Sequence, residues 1–385
     1  MDRQYRAGGV TVALGLPSIA YTEGRCAGGG TEINSGLYRR PPADVIDRWT
    51  RDFQIADLDY DEVLTIAGEV EATLDVGTVP GPPTAPSDVL RRGAERLGWL
   101  HGEIPRWMKY TNGGSGQRQS MTRTYLPRAM AAGARIATGC RIDSLDMAGG
   151  SARSAATTLP DGRRGTIRFR DVFVCGGAIQ SPALLQRSRI DGPIGRSLAV
   201  HPTVKLAARF ADEVNVPDDV AVHQVKEFAP ELSFGGSASQ PGLVALALSD
   251  QWATFSKAIT DWRRISLYYA AITSEGRGRV RTIRGVRDPI VTYGLTRRDR
   301  ALLGSGLARL GLLMLEAGAD EVYPSFRGAP IVRTPADLAT MNRSFSAGKA
   351  SVMTVHLCST IPMGQDRAQC GADSFGRVHG TDNVW

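Results

Sequence analysis

Three stretches of the chain place chemically useful residues at short spacing. The first is Gly24-Arg25-Cys26-Ala27-Gly28-Gly29-Gly30-Thr31-Glu32-Ile33-Asn34. Three successive glycines let backbone N–H groups come close to a ligand, because no side chain intervenes, and phosphates are bound this way. A plain loop uses the same residues. The second is Cys175-Gly176-Gly177-Ala178-Ile179-Gln180-Ser181-Pro182. It reads as strand, glycine turn and helix start, which together make a ligand-binding edge, although the GxGxxG spacing of a dinucleotide fingerprint is missing. The third runs from His356 to Gly364 and is followed by Gly376-Arg377-Val378-His379-Gly380-Thr381-Asp382-Asn383. A histidine titrating near neutrality can take a proton from an alcohol, and it can equally hold a structural hydrogen bond. Cys358, next but one to His356, invites a Cys–His reading. No acidic orienter stands at a suggestive place, which sets nucleophilic hydrolysis aside. His201-Pro202 reads as structural, His101 and His223 as surface or loop residues without companions, and His379 as part of a turn.

These residues need elements to position them. Short helices are expected from Ala43 to Trp49 and from Tyr60 to Leu74. Another runs from Ser87, a capping candidate, to Leu97, and one more spans Thr124 to Ala132. Gly113 to Gln119 is a glycine-rich loop. Arg135 to Ile142 reads as a strand and the start of its successor, and Asp161-Gly162 is a hairpin turn. Val172 to Cys175 has the look of a buried strand, and Ser181-Pro182 that of the helix start after it. Residues 196–350 differ in character. Lys205–Phe210, Leu243–Leu248 and Ile265–Ala271 read as antiparallel strands, as does Arg279–Ile283 paired with Ile290–Tyr293. Thr296 to Asp299 is a loose capping box opening a leucine-rich helix that stops at Gly318.

The bulk numbers set bounds. A chain of 385 residues suggests two domains. The net charge is +7, and only five of the 46 basic residues are lysine. Basic residues are dispersed, with no block and no aromatic ladder, so nucleic acid is not an expected partner. Five separated cysteines without CxxC spacing suggest neither a disulfide framework nor a metal site. No run approaches the length of a membrane span, and the first residues lack a signal-peptide pattern, so a cytoplasmic setting is expected.

In this order, the three motifs resemble the glucose–methanol–choline (GMC) oxidoreductase family over essentially the whole chain. The glycine triplet with Asn34, Tyr38 and Pro41 resembles the family's first signature, with Ala27 where a larger aliphatic residue is usual. Gly177 to Ile190 resembles the second, with Arg189 and Asp191 where glycines are usual. The His356 stretch and Gly376–Asn383 resemble the run leading into the flavin-contacting C-terminal strand. Ser120 to Ala129 resembles the branch of long-chain alcohol oxidases and cholesterol-oxidase-like members.

The resemblance implies an α/β (α+β) fold. Residues 1–195 and 351–385 would form an incomplete FAD-binding, Rossmann-like domain. Residues 196–350 would form a substrate domain with an antiparallel sheet backed by helices. The implied reaction oxidises CH–OH to a carbonyl, with hydride passing to flavin N5 and His356 accepting the hydroxyl proton. Gly28, Gly29, Gly30 and Asn34 would meet the flavin diphosphate or ring edge. Arg141 and Ile142 would meet the adenine, and Gly177, Asp382 and Asn383 would complete the cofactor contacts. Ile33 stands where some members attach flavin through a histidine, so FAD would be noncovalent. Complete members open on a GxGxxG loop and continue to a second active-site His or Asn. The expectation is therefore a chain truncated at both ends, with weak hold on FAD alone and no partner for His356. The other reading is an inactive or split-gene fragment that pairs with a separate flavin-binding piece. The expected substrate is a small alcohol of hydrophobic or long-chain type.

Overall fold

The structure is a computed structural model that describes residues 4–111, 116–216 and 219–385. Gly113 and Gly114 of the expected loop lie outside the described residues. The fold is mixed α/β. Its centre is a nine-stranded sheet built from β1 (Thr11–Ala13), β2 (Ile19–Tyr21), β3 (His101–Glu103), β4 (Thr203–Arg209), β5 (His223–Val225), β6 (Leu232–Ser237), β7 (Ile265–Ile272), β8 (Glu321–Pro324) and β9 (Met353–Thr354). The strand order is β1-β2-β9-β4-β7-β6-β5-β3, with β8 also paired to β4. All these pairings are antiparallel except β9 with β2.

One face of this sheet is sealed by a helix, and the residues show why. Thr296 accepts from the Asp299 N–H while the Asp299 carboxylate accepts from the Thr296 N–H, a complete capping box. The helix Arg297–Glu316 that follows repeats apolar residues at helical spacing. Leu303, Leu307, Leu310, Leu313 and Met314 are all buried. They pack in the same core as Val204, Leu206, Ala208, Tyr268, Ala270 and Ile272, the inward residues of β4 and β7. The opposite face carries Thr203, Lys205, Ser233, Ser237, Gln224 and Tyr269 and is only partly covered. This is the antiparallel sheet backed by a helix that the sequence suggested.

A second, smaller core gathers Leu145, Ala152, Ala155, Leu185, Ile194, Val378 and Val384. It is formed by the three-stranded sheet Arg141–Ala148, Ser151–Thr158 and Arg164–Arg168, the helix Gly177–Arg187, and the last residues of the chain. The large sheet thus draws β1, β2, β3 and β9 from outside residues 196–350.

Several local expectations need correction. Leu243–Leu248 is part of a helix, Pro241–Leu248, not a strand. Pro241 opens it, and Val244, Ala247 and Leu248 are the buried residues, at spacings of three and four. Val172–Cys175 is extended but not buried. Among the described residues its ladder is a parallel one to the chain end, through Val172 N to Asn383 O at 3.0 Å and Trp385 N to Val172 O at 2.8 Å. Phe173 is 70% exposed and stacks on Trp385. The helix after it begins at Gly177, so Pro182 lies inside it, and the Ser181 hydroxyl turns back to Val174 O at 3.2 Å instead of capping. Ser87 likewise sits within the helix Ala85–Leu97, where its hydroxyl accepts from Val222 N at 2.8 Å. Residues 135–140 form no strand; regular pairing starts at Arg141.

Candidate functional site

His356 lies between the short strands Met353–Thr354 and Leu357–Cys358. The latter pairs antiparallel with Ala199–Val200, in the register Ala199↔Cys358 and Val200↔Leu357. Continued by one step, that register sets His201 against His356. Their Nδ1 atoms are 2.9 Å apart and the rings meet edge to face at 5.1 Å. His356 thus meets a histidine that the reading of His201 as structural did not pair with it. The partner comes from 155 residues earlier in the chain.

The surroundings fix the backbone on both sides. Thr354, fully buried, accepts from His356 N at 3.2 Å and donates to His356 O at 3.0 Å. The Thr203 hydroxyl donates to His201 O at 3.1 Å. Both imidazoles keep solvent access while protein desolvates them from most other directions. Desolvation is the larger cause and the nearby Lys226 cation a further one holding His356 below the ordinary histidine range. For His201 the same desolvation, then the His356 ring and Lys226, bring it down to about 4. Two neutral imidazoles joined through one Nδ1···Nδ1 contact need one shared proton. The ring that donates it keeps a free Nε2 lone pair, and so becomes a base aimed outward. Cys358 is not part of this pair. Its thiol turns to Ala199 O at 3.5 Å and is pushed up by burial, which suits a structural thiol and not a nucleophile.

The glycine triplet forms a tight turn. Gly28 (φ +82°) and Gly29 (φ +57°) occupy the left-handed region that favours glycine. A side chain added at Gly29 or Gly30 would meet nothing within 4 Å, so this backbone faces open space. Arg118 supports the turn from behind, donating to Glu32 O at 2.6 Å. The arrangement fits a flat or anionic cofactor approaching unshielded backbone. Gly177, at the start of its helix with φ +76°, is open in the same way. Asn34 is exposed and its Oδ1 accepts from Gly36 N at 3.0 Å.

The remaining expected cofactor residues sit elsewhere. Arg141 is ion-paired to Asp143, and Ile142 packs on the smaller core at the start of the three-stranded sheet. Asp382 accepts from the Ser151 hydroxyl at 2.6 Å. The Asn383 amide is satisfied by Ala152 N and O, at 2.8 and 2.9 Å, and by Arg170 O. These two side chains clasp the chain end to the strand Ser151–Thr158, and Asp382 N and Asn383 O are bound as well, to Gly150 O and Val172 N at 3.1 and 3.0 Å. No hydrogen bond or ion pair among the described residues joins Arg141, Asp382 or Asn383 to the glycine triplet.

His101 and His223 are not companionless surface residues. They lie on paired strands with ring centroids 6.0 Å apart, and His223 is buried. His379 is a turn residue as expected, its Nε2 meeting Gly364 O at 2.9 Å. No group of three or more His, Cys, Asp or Glu suited to a metal occurs among the described residues, and no helix there is long and apolar enough to cross a membrane.

Comparison with known proteins converges on one family. The two GMC oxidoreductase family models match residues 1–203 and 274–385. An uncharacterized GMC-type oxidoreductase of Sinorhizobium fredii is 37% identical over 395 residues, covering 99% of this chain and 78% of the relative. One from Mycobacterium tuberculosis is 31% identical, and this chain spans 62% of its length. A long-chain-alcohol oxidase of Arabidopsis thaliana is 24% identical over 84% of the chain and 47% of the relative. Among solved structures, pyridoxine 4-oxidase from Mesorbium loti superposes with a TM-score of 0.69 at 17% identity, over 96% of this chain and 79% of its own. That likeness extends to the fold and agrees with the α/β architecture above. The matches do not favour reading the chain as an inactive fragment. This chain belongs to the GMC oxidoreductase family.

Proposed function

We propose that the chain oxidises a small-molecule alcohol to a carbonyl with noncovalent FAD, and that the His201–His356 pair is its proton-handling centre. The observation that carries this is the 2.9 Å contact between two solvent-reachable imidazoles whose surroundings keep them neutral. An alcohol loses its hydroxyl proton as its C–H hydrogen departs with both electrons, so a neutral base beside the carbinol lowers the barrier. Flavin, when bound, supplies the hydride acceptor. His356 takes the hydroxyl proton at Nε2 while its Nδ1–H donates to His201 Nδ1. As His356 becomes cationic, that hydrogen bond becomes charge-assisted and strengthens. His201 is thus a positioning residue, setting the tautomer and ring angle of His356.

Gly28, Gly29 and Gly30 are the residues best suited to hold the cofactor, with Gly177 and the segment around Asp382 and Asn383 as further contacts. Arg141 and Ile142 would be reached only by a distant adenine end. Ile33 leaves no histidine in the triplet loop for a covalent link. The division into a flavin portion (1–195 with 351–385) and a substrate portion (196–350) is kept in function, although the large sheet crosses it. A long-chain-alcohol oxidase among the relatives supports the substrate class at the level of an alcohol.

Dye reduction under anaerobic conditions, with FAD added and a panel of primary and secondary alcohols, tests the reading. Turnover is expected, and His356→Ala is expected to lower kcat by about 100-fold or more. Turnover that survives His356→Ala intact, or none with any alcohol, overturns it.

A further inference from the structure

The open face of the large sheet is cationic where it borders the histidine pair. Pairing runs Lys205↔Tyr269, Tyr269↔Gly235 and Gly235↔Gln224, so these residues form one row across four strands on one face. Gly235 carries no side chain, and a Cβ there would lie 2.5 Å from Tyr269 Oη. The tyrosine therefore lies over it and accepts from Gln224 Nε2 at 3.3 Å. Gln224 Oε1 in turn accepts from Arg39 at 3.4 Å. Lys226, two residues beyond Gln224, is on the same face. The next row holds small residues, Thr203↔Ala271 and Ala271↔Ser233, and Thr203 lies two residues from His201.

Arg39, held by Gln224 on this face, lies close enough to Lys226 to oppose its charge, and neither has a carboxylate partner among the described residues. Burial and Arg39 bring Lys226 down to about 8. Carboxylates are available nearby but are turned away. Glu71 is spent on Arg40 in a bidentate pair, and Glu227 accepts from Leu100 N at 2.8 Å. Lys205, almost enclosed, has the Ser237 hydroxyl at 2.8 Å as its polar partner, with no carboxylate beside it. Two of the five lysines of the chain are thus held without counter-charge on the face that ends at the base. Unpaired, partly desolvated cations are costly, and an incoming anion relieves that cost.

Resting on the alcohol-oxidation reading above, we propose that the substrate is an alcohol bearing an anionic group, a carboxylate or phosphate, which Lys226 and Arg39 bind while the carbinol meets His356. This narrows a merely hydrophobic alcohol to an acid-tailed one. Lys205 marks the far end of the same face.

The test uses the full chain with FAD added and compares pairs of alcohols of equal length, one ending in methyl and one in carboxylate. The unaltered protein is expected to favour the hydroxy acid in kcat/KM by about tenfold or more. Lys226→Gln is expected to collapse that preference, and Lys226→Arg to keep most of it. Equilibrium binding of the matching dicarboxylate, read by calorimetry without turnover, should weaken about tenfold in Lys226→Gln. Loss of this binding with no turnover of any alcohol would remove the catalytic reading and leave the anion site. No preference for the hydroxy acid, or an equal loss on both alcohols, overturns the inference. So does a Lys226→Gln variant that keeps its preference but retains less FAD, since the cations would then serve the cofactor phosphates. Circular dichroism of each variant separates these outcomes from misfolding.

Discussion

At the residue scale the site comes down to two imidazoles sharing one proton. Which ring donates decides which Nε2 is the base. His201 is held down to about 4 by desolvation and by the His356 ring, so it suits the role of acceptor from an imidazolium His356. His201→Ala should then lower kcat about tenfold or more with little change in KM, and His201→Asn should restore part of the loss, because an amide oxygen can accept the same hydrogen bond. A structural residue would instead show equal losses in both variants, together with a lower melting temperature. The pH dependence follows from the same shifts. A base held below the ordinary histidine range stays neutral as pH falls, so the acid limb of kcat/KM should have its midpoint below 6.5. Lys226 opposes protonation of both rings, so Lys226→Gln should move that limb upward. For stability the sign is the same. The unfolded chain protonates His201 near 6.5 and the folded chain near 4, so stability declines as pH drops through that window. A limb midpoint above 6.5, or one unmoved by Lys226→Gln, contradicts the assignment. His356 was legible because it stands in a recognisable motif. His201 was not, because its contact depends on two-residue strands, Ala199–Val200 and Leu357–Cys358, too short to leave a periodic signal.

At the element scale, legibility tracked how strongly local chemistry and burial agree. The helix Arg297–Glu316 has both a capping box and a leucine stripe, and it was readable end to end. Leu243–Leu248 carries small and large apolar residues whose order satisfies both a strand and a helix, and tertiary packing chose the helix. The glycine triplet was legible as a tight glycine turn, and its geometry offers a clean test of the proposed cofactor contact. Gly30 lies in a helical turn with open space where a Cβ would stand. Gly30→Ala should therefore leave the unfolding midpoint of the ligand-free chain within about 0.5 kcal/mol of the original. If the cofactor approaches this backbone, the same methyl group should weaken FAD retention, and Gly30→Val more so, as seen by flavin absorbance after desalting. FAD retention unchanged in both variants would remove the triplet from the cofactor site. Gly28→Ala is a poorer probe, since its Cβ would stand 2.4 Å from Glu32 Oε1.

At the scale of the whole molecule, the site is held at the meeting of two cores, and no single segment predicts such a seam. The strand Ala199–Val200 runs along it. Leu198 exchanges backbone hydrogen bonds with Gly278, at 3.1 and 2.7 Å, and Gly195 N donates to Thr360 O. Gln186, from the helix of the smaller core, ties the same region together. Its Nε2 donates to Val280 O at 2.8 Å and Ile194 O at 3.1 Å, while its Oε1 accepts from Thr282 N at 2.9 Å. These three backbone groups flank the stretch that delivers His201. Gln186→Leu removes these hydrogen bonds, and one more from the Thr282 hydroxyl at 3.3 Å, at similar volume and should cost about 2–3 kcal/mol in stability by urea unfolding. If the seam also sets the imidazole geometry, the cost reaches catalysis at a distance. In a double-mutant cycle on kcat/KM, Gln186→Leu should then matter much less once His201 is already alanine, giving an interaction of about 1 kcal/mol. Strict additivity would mean that Gln186 serves the fold alone and that the histidine pair is positioned by its own strand pairing and Thr354.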